Sequence, residues 1–396
     1  MEILSPAGNF EKLKFAVMYG ANAVYAAGKM FGLRAKSANF SHEELVEAVS
    51  FCHENSAKIY ITVNIFAHNS DIDKISNYLQ FLQKIGVDAL IISDPAIFNL
   101  AKQFAPKIPI HISTQANVVS WKSAEFWQKL GAERIILARE LSINEIREIK
   151  EKVQGIELEM FVHGAMCMSY SGRCLLSSFL NKRDANKGEC TQPCRWEYKL
   201  TEKTRPNEQF PIEEDHYGTY ILNSKDLSLF DKIQQIIAAG IDSIKIEGRM
   251  KSLYYVANVT RVYKQAINDL TAHNSVLLKN ELNKISHREY SEGFFENFNS
   301  DDMQNHESSA YIREYQFLGE VVDIDGNFAT IKVRSKFAVG ENIELIFPNL
   351  EDDFKIKVTQ INDENNEPIL FTKPNTKIKL FVGKSIPHNG ILRKKK

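Results

Sequence analysis

Short apolar runs alternate with amphipathic stretches along the first two-thirds of the chain. Glu2–Ser5 reads as a strand, and Phe10–Tyr19 carries the i, i+3, i+4 apolar spacing of a helix. Ala23–Ala27 is a second strand. Ser41, with Glu44 three positions on, makes a capping box that opens a helix to about Glu54. Lys58–Ile65 is a buried strand, followed by a helix over Ile72–Ile85. Ala89–Ser93 is the next strand, and Pro95 suits the first turn of the helix after it. The alternation continues with Ile108–Ser113, a helix over Trp121–Leu130, the strand Arg134–Ala138, and a helix capped by Ser142 with Glu145 three on. Glu157–Val162 is the seventh strand. After a long polar excursion come a helix over about Leu229–Ala239, the strand Ser243–Ile246 and a helix over Leu253–Leu270.

Eight short, continuously apolar strands alternating with helices belong to the α/β class, and they fit a closed (β/α)8 TIM-like barrel better than an open doubly wound sheet. No G-x-G-x-x-G follows the first strand, so a dinucleotide fold lacks its usual marker. The expected organisation is a barrel over 1–272 with a cysteine-rich insertion at 164–220, a polar linker over 273–315, and a small all-β domain, read as a barrel, over 316–396. That last segment alternates apolar and polar residues, has the hairpin turn Asp325-Gly326-Asn327, and closes on Arg393-Lys-Lys-Lys396. A basic tail of this kind is usually only solvated.

The chain has 396 residues and a net charge of −1, which argues against a wholesale nucleic-acid coat but leaves room for local basic patches. The amino terminus lacks the pattern of a signal peptide, and no apolar run is long enough to span a bilayer, so a cytoplasmic protein is expected. Four of the five cysteines, Cys167, Cys174, Cys190 and Cys194, fall in the excursion after the seventh strand. In a reducing compartment these are thiols, metal ligands or redox groups before they are disulfides. Their spacing, C-x6-C-x15-C-x3-C, leaves zinc and an iron–sulfur cluster about level. Cys52, in an amphipathic helix, reads as a small buried hydrophobe.

A (β/α)8 barrel works at the carboxyl ends of its strands. Those ends carry Asn64, Asp94, His111, Thr114, Gln115, Arg139, Glu140, His163, Glu247, Arg249 and Lys251. Arg139, Arg249 and Lys251 together suggest a pocket for a carboxylate or phosphate. Glu159 reads as structural. HExxH, G-x-S-x-G and Walker A motifs are absent; a His163/Cys167 nucleophile pair can be drawn on paper.

The run EMFVHGAMCMSYSGRCLLSSF resembles the signature of the collagenase-like peptidase family of unknown catalytic type. SPAGNFEKLKFAVMYGANAVYAAG, ILARELSINEI, LNSKDL and KIEGRMKSLYYVANVTRVY resemble that family too. The resemblance implies either proteolysis, as the family's name has it, or oxygen-independent hydroxylation, as in its branches that make 5-hydroxyuridine at the tRNA wobble position from prephenate, modify 23S ribosomal RNA, or hydroxylate ubiquinone precursors with four-iron clusters. GRCLLSSFLNKRDANKGECTQPCRW is most similar to the tRNA branch. By this resemblance Cys167, Cys174 and Cys190 fall on ligand positions of a 4Fe-4S cluster. The family's usual fourth position is here Ser228, so either Cys194 supplies the fourth thiolate, or the cluster has an open iron, or no cluster forms. The implied partners are tRNA, a small anionic hydroxyl donor held by Arg139 and Arg249, and a possible second family member; no membrane is implied. His163, Glu247 and Gln115 complete the expected catalytic set. The other readings are a collagenase-like peptidase and a zinc-stabilised RNA-binding scaffold.

Overall fold

A computed structural model of the chain describes residues 1–32, 39–166, 225–269, 271–296 and 311–396, together with four short strands between 200 and 220. Eight parallel strands form a closed barrel. They are β1 (Glu2–Pro6), β2 (Ala23–Ala26), β3 (Lys58–Val63), β4 (Ala89–Ile92), β5 (Ile110–Ile112), β6 (Arg134–Ile136), β7 (Glu157–Ala165) and β13 (Ser243–Ile246). The strands pair in chain order, and β13 closes the ring by pairing with both β7 and β1. An open doubly wound sheet is thereby excluded. Helices α1 (Phe10–Met18), α2 (His42–Glu54), α3 (Ile72–Ile85), α4 (Pro95–Phe104), α5 (Trp121–Lys129) and α6 (Ile143–Lys152) follow the first six strands. Both capping boxes form as expected, at Ser41/Glu44 and Ser142/Glu145. Cys52 packs inside, and burial pushes its thiol up to about 12. The stretch expected as a helix over Leu229–Ala239 is instead a 3-10 turn at Phe230–Lys232 followed by the short helix α7 (Ile233–Ala238).

The lower half of the barrel is filled with paired charge. Arg134 Nη1 lies 2.5 Å from Glu2 Oε1 and 3.1 Å from Glu159 Oε2, while Lys245 Nζ lies 2.8 Å from Glu159 Oε1. Glu159 is fully buried and Lys245 nearly so. Burial pulls the Lys245 ammonium below its ordinary pKa despite Glu159. His111 sits here edge-on to Tyr60, its pKa driven well down by burial and by Arg134 and Lys245. A barrel plugged in this way keeps its working space for the other end.

After β7 the chain passes through the hairpins β8 (Leu200–Glu202)–β9 (Arg205–Phe210) and β10 (Glu213–Asp215)–β11 (Gly218–Tyr220). It returns as β12 (Asp226–Ser228), antiparallel to the end of β7, and β14 (Tyr290–Ser291) adds beside β12. Helix α8 (Leu253–Asn268) backs β1 and β13, and α9 (Ala272–Asn283), inside the stretch read as a linker, packs on α8 through Asn258 Nδ2 to the Glu281 carbonyl at 2.8 Å.

Residues 315–395 form a seven-stranded antiparallel sheet: β15 (Tyr315–Asp325), β16 (Phe328–Val333), β17 (Asn342–Ile346), β18 (Phe354–Lys357), β19 (Ile361–Asn362), β20 (Lys377–Phe381) and β21 (Ile391–Lys395). The expected hairpin at Gly326 is present, with φ +58° there. The sheet order runs β18-β17-β21-β15-β16-β20-β19 and does not close. The small barrel expected here is therefore a half-barrel, since its edge strands, four and two residues long, are too short to pair around.

The two units meet over buried ion pairs. Arg261 on α8, fully buried, donates to the Phe347 carbonyl at 2.8 Å and to both oxygens of Asp353 at 2.9 Å. Its Nη2 reaches Glu281 at 2.7 Å, and Arg393 grips the same carboxylate at 2.7 and 2.9 Å. Burial alone would raise the Glu281 pKa, but Arg393, Arg261 and Lys284 bring it down from 4.5 to about 2. A carboxylate depressed in the fold adds stability that is complete above pH 4.5 and disappears as pH falls toward 2. Glu281→Gln is therefore expected to flatten the acid limb of the stability curve in that window. Urea midpoints measured from pH 5 to pH 2 check this; an acid limb identical to wild type counts against it. Among the described residues no helix is long and apolar enough to cross a membrane.

Candidate functional site at the barrel mouth

Alternation along β3 puts Tyr60, Thr62 and Asn64 on the face that looks into the barrel. Asn64, just past the strand, donates through Nδ2 to Gln115 Oε1 at 2.7 Å, and Ser113 Oγ donates to the same oxygen at 3.2 Å. Ser93 Oγ holds the Asn64 carbonyl at 3.2 Å. Arg249, from the turn after β13, is 6% exposed and brings Nη1 to 3.5 Å from Thr62 Oγ1. The result is a buried polar floor with a guanidinium laid across it. Gly8 makes the close approach of the β1 and β13 turns possible: a Cβ there would stand 2.1 Å from the Arg249 carbonyl oxygen.

Lys245 lies beneath, its Nζ 4.5 Å from the Tyr25 ring centre and 5.4 Å from that of Phe161. The Arg139 guanidinium also lies over the Phe161 ring, 4.0 Å from its centre, and donates to the Ala165 carbonyl at 2.8 Å. One aromatic ring thus carries Lys245 and Arg139, and Arg249 stands close enough to Lys245 to depress its pKa. Below them the Lys245 and Arg134 charges are matched by Glu159 and Glu2, so the mouth above has a positive character suited to an anion. Gln115 lies against Asn64 and Arg249 against Thr62 at this end, while Arg139 lies over Phe161 and lines a separate small cavity with Leu227, Glu292 and Phe295; Glu247, half-buried, follows β13.

His163 is turned away. The β7–β13 register slips so that Lys245 faces Phe161 while the next residue, Ile246, faces His163, which inserts Val162 as an extra residue in β7. A bulge of this kind changes the face on which the following side chains emerge. His163 consequently points out of the barrel into a cage of Tyr255, Tyr263 and Tyr290, with ring centres 5.2–6.1 Å away. It is 1% exposed, and burial, aided by His287 and Lys251, lowers its pKa to about 3. Gly164, with φ +111°, follows the bulge, and a Cβ there would stand 2.6 Å from the Glu247 carbonyl oxygen. Asp94 is occupied as the cap of α4, accepting from the N–H groups of Ala96 and Ile97. Thr114 Oγ1 donates to the Leu137 carbonyl. Lys251 stands 3.9 Å from buried Asp226, on the His163 side.

Cys167, Cys174, Cys190 and Cys194 lie outside the described residues; among those described, no group of three or more metal-ligating side chains converges. The frame that holds the cysteine segment is described. Met166 follows directly on β7, Ala165 pairs with Asp226, and Ser228 lies opposite His163. A serine hydroxyl is a hard donor and matches the soft thiolate set of a four-iron cluster less well than a cysteine would.

Thr62, Phe161, Lys245 and Lys12 were not among the expected site residues. For Lys245 a signal was there, an ammonium in the middle of an otherwise apolar strand, Ser243–Ile246. For Thr62 it was the alternation of β3.

The model of peptidase family U32 matches residues 8–305, and that of the family's C-terminal domain matches residues 313–393. The chain is 40% identical over 402 residues to tRNA hydroxylation protein P1 of Bacillus subtilis, covering 100% of this chain and 95% of that one. It is 39% identical over 399 residues to tRNA hydroxylation protein P of Escherichia coli, with coverage of 90% and 88%. The 23S rRNA 5-hydroxycytidine C2501 synthase of Escherichia coli is 31% identical over 375 residues, covering 92% of this chain and 55% of that protein.

Proposed function

The chain belongs to peptidase family U32, and from that membership we propose that it is an RNA-hydroxylating enzyme that converts the wobble uridine of tRNA to 5-hydroxyuridine, with prephenate or a similar dicarboxylate as hydroxyl donor. The observation that carries the reading is the barrel mouth floored by Thr62 with the buried Arg249 guanidinium on it, at the same end of the barrel as the corner where the cysteine-bearing segment leaves β7 and returns as β12. Names given to relatives for tRNA and for ribosomal RNA hydroxylation share one chemistry, a C–H to C–OH exchange on a pyrimidine. That exchange is a two-electron oxidation, and the chain's own side chains offer no oxidant, which is why a donor and a redox-active group both enter the proposal.

Arg249 and Arg139 hold the donor's carboxylates by charge-assisted hydrogen bonds, and the Asn64–Gln115 pair offers amide edges to a base. The plugged lower barrel excludes water from beneath. A 4Fe-4S cluster held by Cys167, Cys174, Cys190 and Cys194 would supply a one-electron redox group; held by the first three alone, it would have an open iron able to polarise an oxygen of the donor. Zinc on the same thiols is the alternative to be separated.

Nucleoside mass spectrometry of tRNA from a strain lacking the gene tests the reading. Loss of 5-hydroxyuridine and its derivatives is expected, and an unchanged nucleoside profile would remove the proposal. Iron with acid-labile sulfide in anaerobically purified protein, rather than stoichiometric zinc, is the matching expectation for the thiols. The peptidase alternative asks His163 to take a proton from Cys167. A fully enclosed imidazole with a pKa of about 3 is poorly matched to that task at neutral pH.

A further inference from the structure

We propose that the cleft between the rim of the barrel and the carboxy-terminal half-barrel binds the sugar–phosphate backbone of a single-stranded RNA segment whose target base enters the barrel mouth. The inference rests on the RNA reading above and adds a second contact surface to it. The cleft has a volume of about 490 Å³, large enough for a nucleotide. Two helices begin in its wall. α1 starts at Asn9, whose Oδ1 accepts from Lys12 N at 2.9 Å, and α8 starts at Ser252, whose Oγ accepts from Tyr255 N at 3.2 Å. Both positive helix ends face the same space.

Side-chain charge adds to this. Arg334 of the opposite wall is held by Glu11 and Glu320 at 2.6–2.8 Å, and neighbouring Lys332 also reaches Glu11 at 2.7 Å. Lys12 and Lys396 line the cleft as well, and Lys12 Nζ is bonded to a carbonyl, that of Arg249 at 3.3 Å, rather than to a carboxylate. Tyr315 and Phe317 supply aromatic surface, with Phe317 stacked on Tyr254 at 6.0 Å and 20°. Arg334 and Lys332 are matched by Glu11 and Glu320, and the Phe317 and Tyr315 rings already carry Tyr254, Lys284 and Arg393, so Lys12, Lys396 and the two helix ends are what the cleft offers to a phosphate backbone. Lys12 ties this groove to the mouth, because the carbonyl it holds belongs to the residue whose guanidinium lies across the floor of the mouth.

The test is the affinity of the full chain for unmodified tRNA, measured by fluorescence anisotropy from about 50 to about 200 mM salt. Lys12→Ala is expected to weaken binding and to reduce the slope of log K against log salt by about 1. Because Lys12 also touches Arg249, two variants on the other wall, Ser335→Asp and Lys396→Glu, are measured beside it; each is expected to raise Kd roughly tenfold with an unchanged thermal midpoint. Wild-type affinity and slope in all three variants would overturn the inference, as would failure of the wild-type chain to bind tRNA. A change confined to competition by inorganic phosphate or a small dicarboxylate would overturn it in favour of a metabolite site. The two proposals fail separately: normal 5-hydroxyuridine in the deletion strain removes the hydroxylation reading, while cleft-dependent tRNA binding in the same protein keeps this one.

Discussion

Replacing Arg249 by alanine is expected to lower kcat/KM for RNA hydroxylation at least about 100-fold. The guanidinium is 6% exposed and lies 3.5 Å from Thr62 Oγ1, where its field is little screened by water. A donor carboxylate entering the mouth meets it as a fixed fork, with Arg139 over the Phe161 ring. Arg249→Lys keeps the charge but loses the planar pair of donors, and it is expected to restore part of the rate while KM for the donor stays high. Single-turnover assays with the donor titrated separate the two effects. A thermal midpoint near wild type shows that the barrel has survived. Undiminished kcat/KM in Arg249→Ala would place the chemistry elsewhere.

Arg261→Ala is expected to cost about 3–5 kcal/mol of stability, because it strands charges that are buried around it. Asp353 loses a two-oxygen partner, the Phe347 carbonyl loses a donor, and Glu281 is left to Arg393 and Lys284. Deleting an exposed pair such as Lys152–Glu148 is expected to cost about 0.5 kcal/mol or less. Urea unfolding followed by both fluorescence and circular dichroism measures the difference. A loss of about 1 kcal/mol or less in Arg261→Ala would show that the contact between barrel and half-barrel is not held by these pairs.

Local chemistry made most of the barrel legible. Ser41 and Ser142 announced their helices because a hydroxyl and a carboxylate three residues apart satisfy the same free N–H groups in any context. Lys58–Val63 read as a strand because its residues are buried on both faces. Gly326 announced a hairpin because the turn there takes a positive φ. What escaped was set by neighbours far off in sequence. Alternation carries Glu159 and Phe161 inward and would carry His163 with them, but one extra residue, opposed only by the β13 register, sends it to the helices. Lys245 stood out only as an ammonium in an apolar strand, and its partners Glu159, 86 positions away, and Phe161 come from β7. Whether the β-rich segment closes depends on two edge strands of four and two residues, a length that alternation alone does not fix. Arg139 and Arg249 were singled out from position alone, since the ends of barrel strands are where such folds place their working groups.

The antiparallel join of β12 to the end of β7 means that the cysteine segment departs and comes home within one ladder, with Ala165 beside Asp226. Its two stems are already clamped together, so adding or trimming residues between them changes closure entropy only logarithmically, by about 0.6 kcal/mol for each doubling of length. The barrel can therefore host excursions of very different size at this corner without re-registering a strand. The wall formed by β7 and β12 stays the same whatever the length of the insertion it carries.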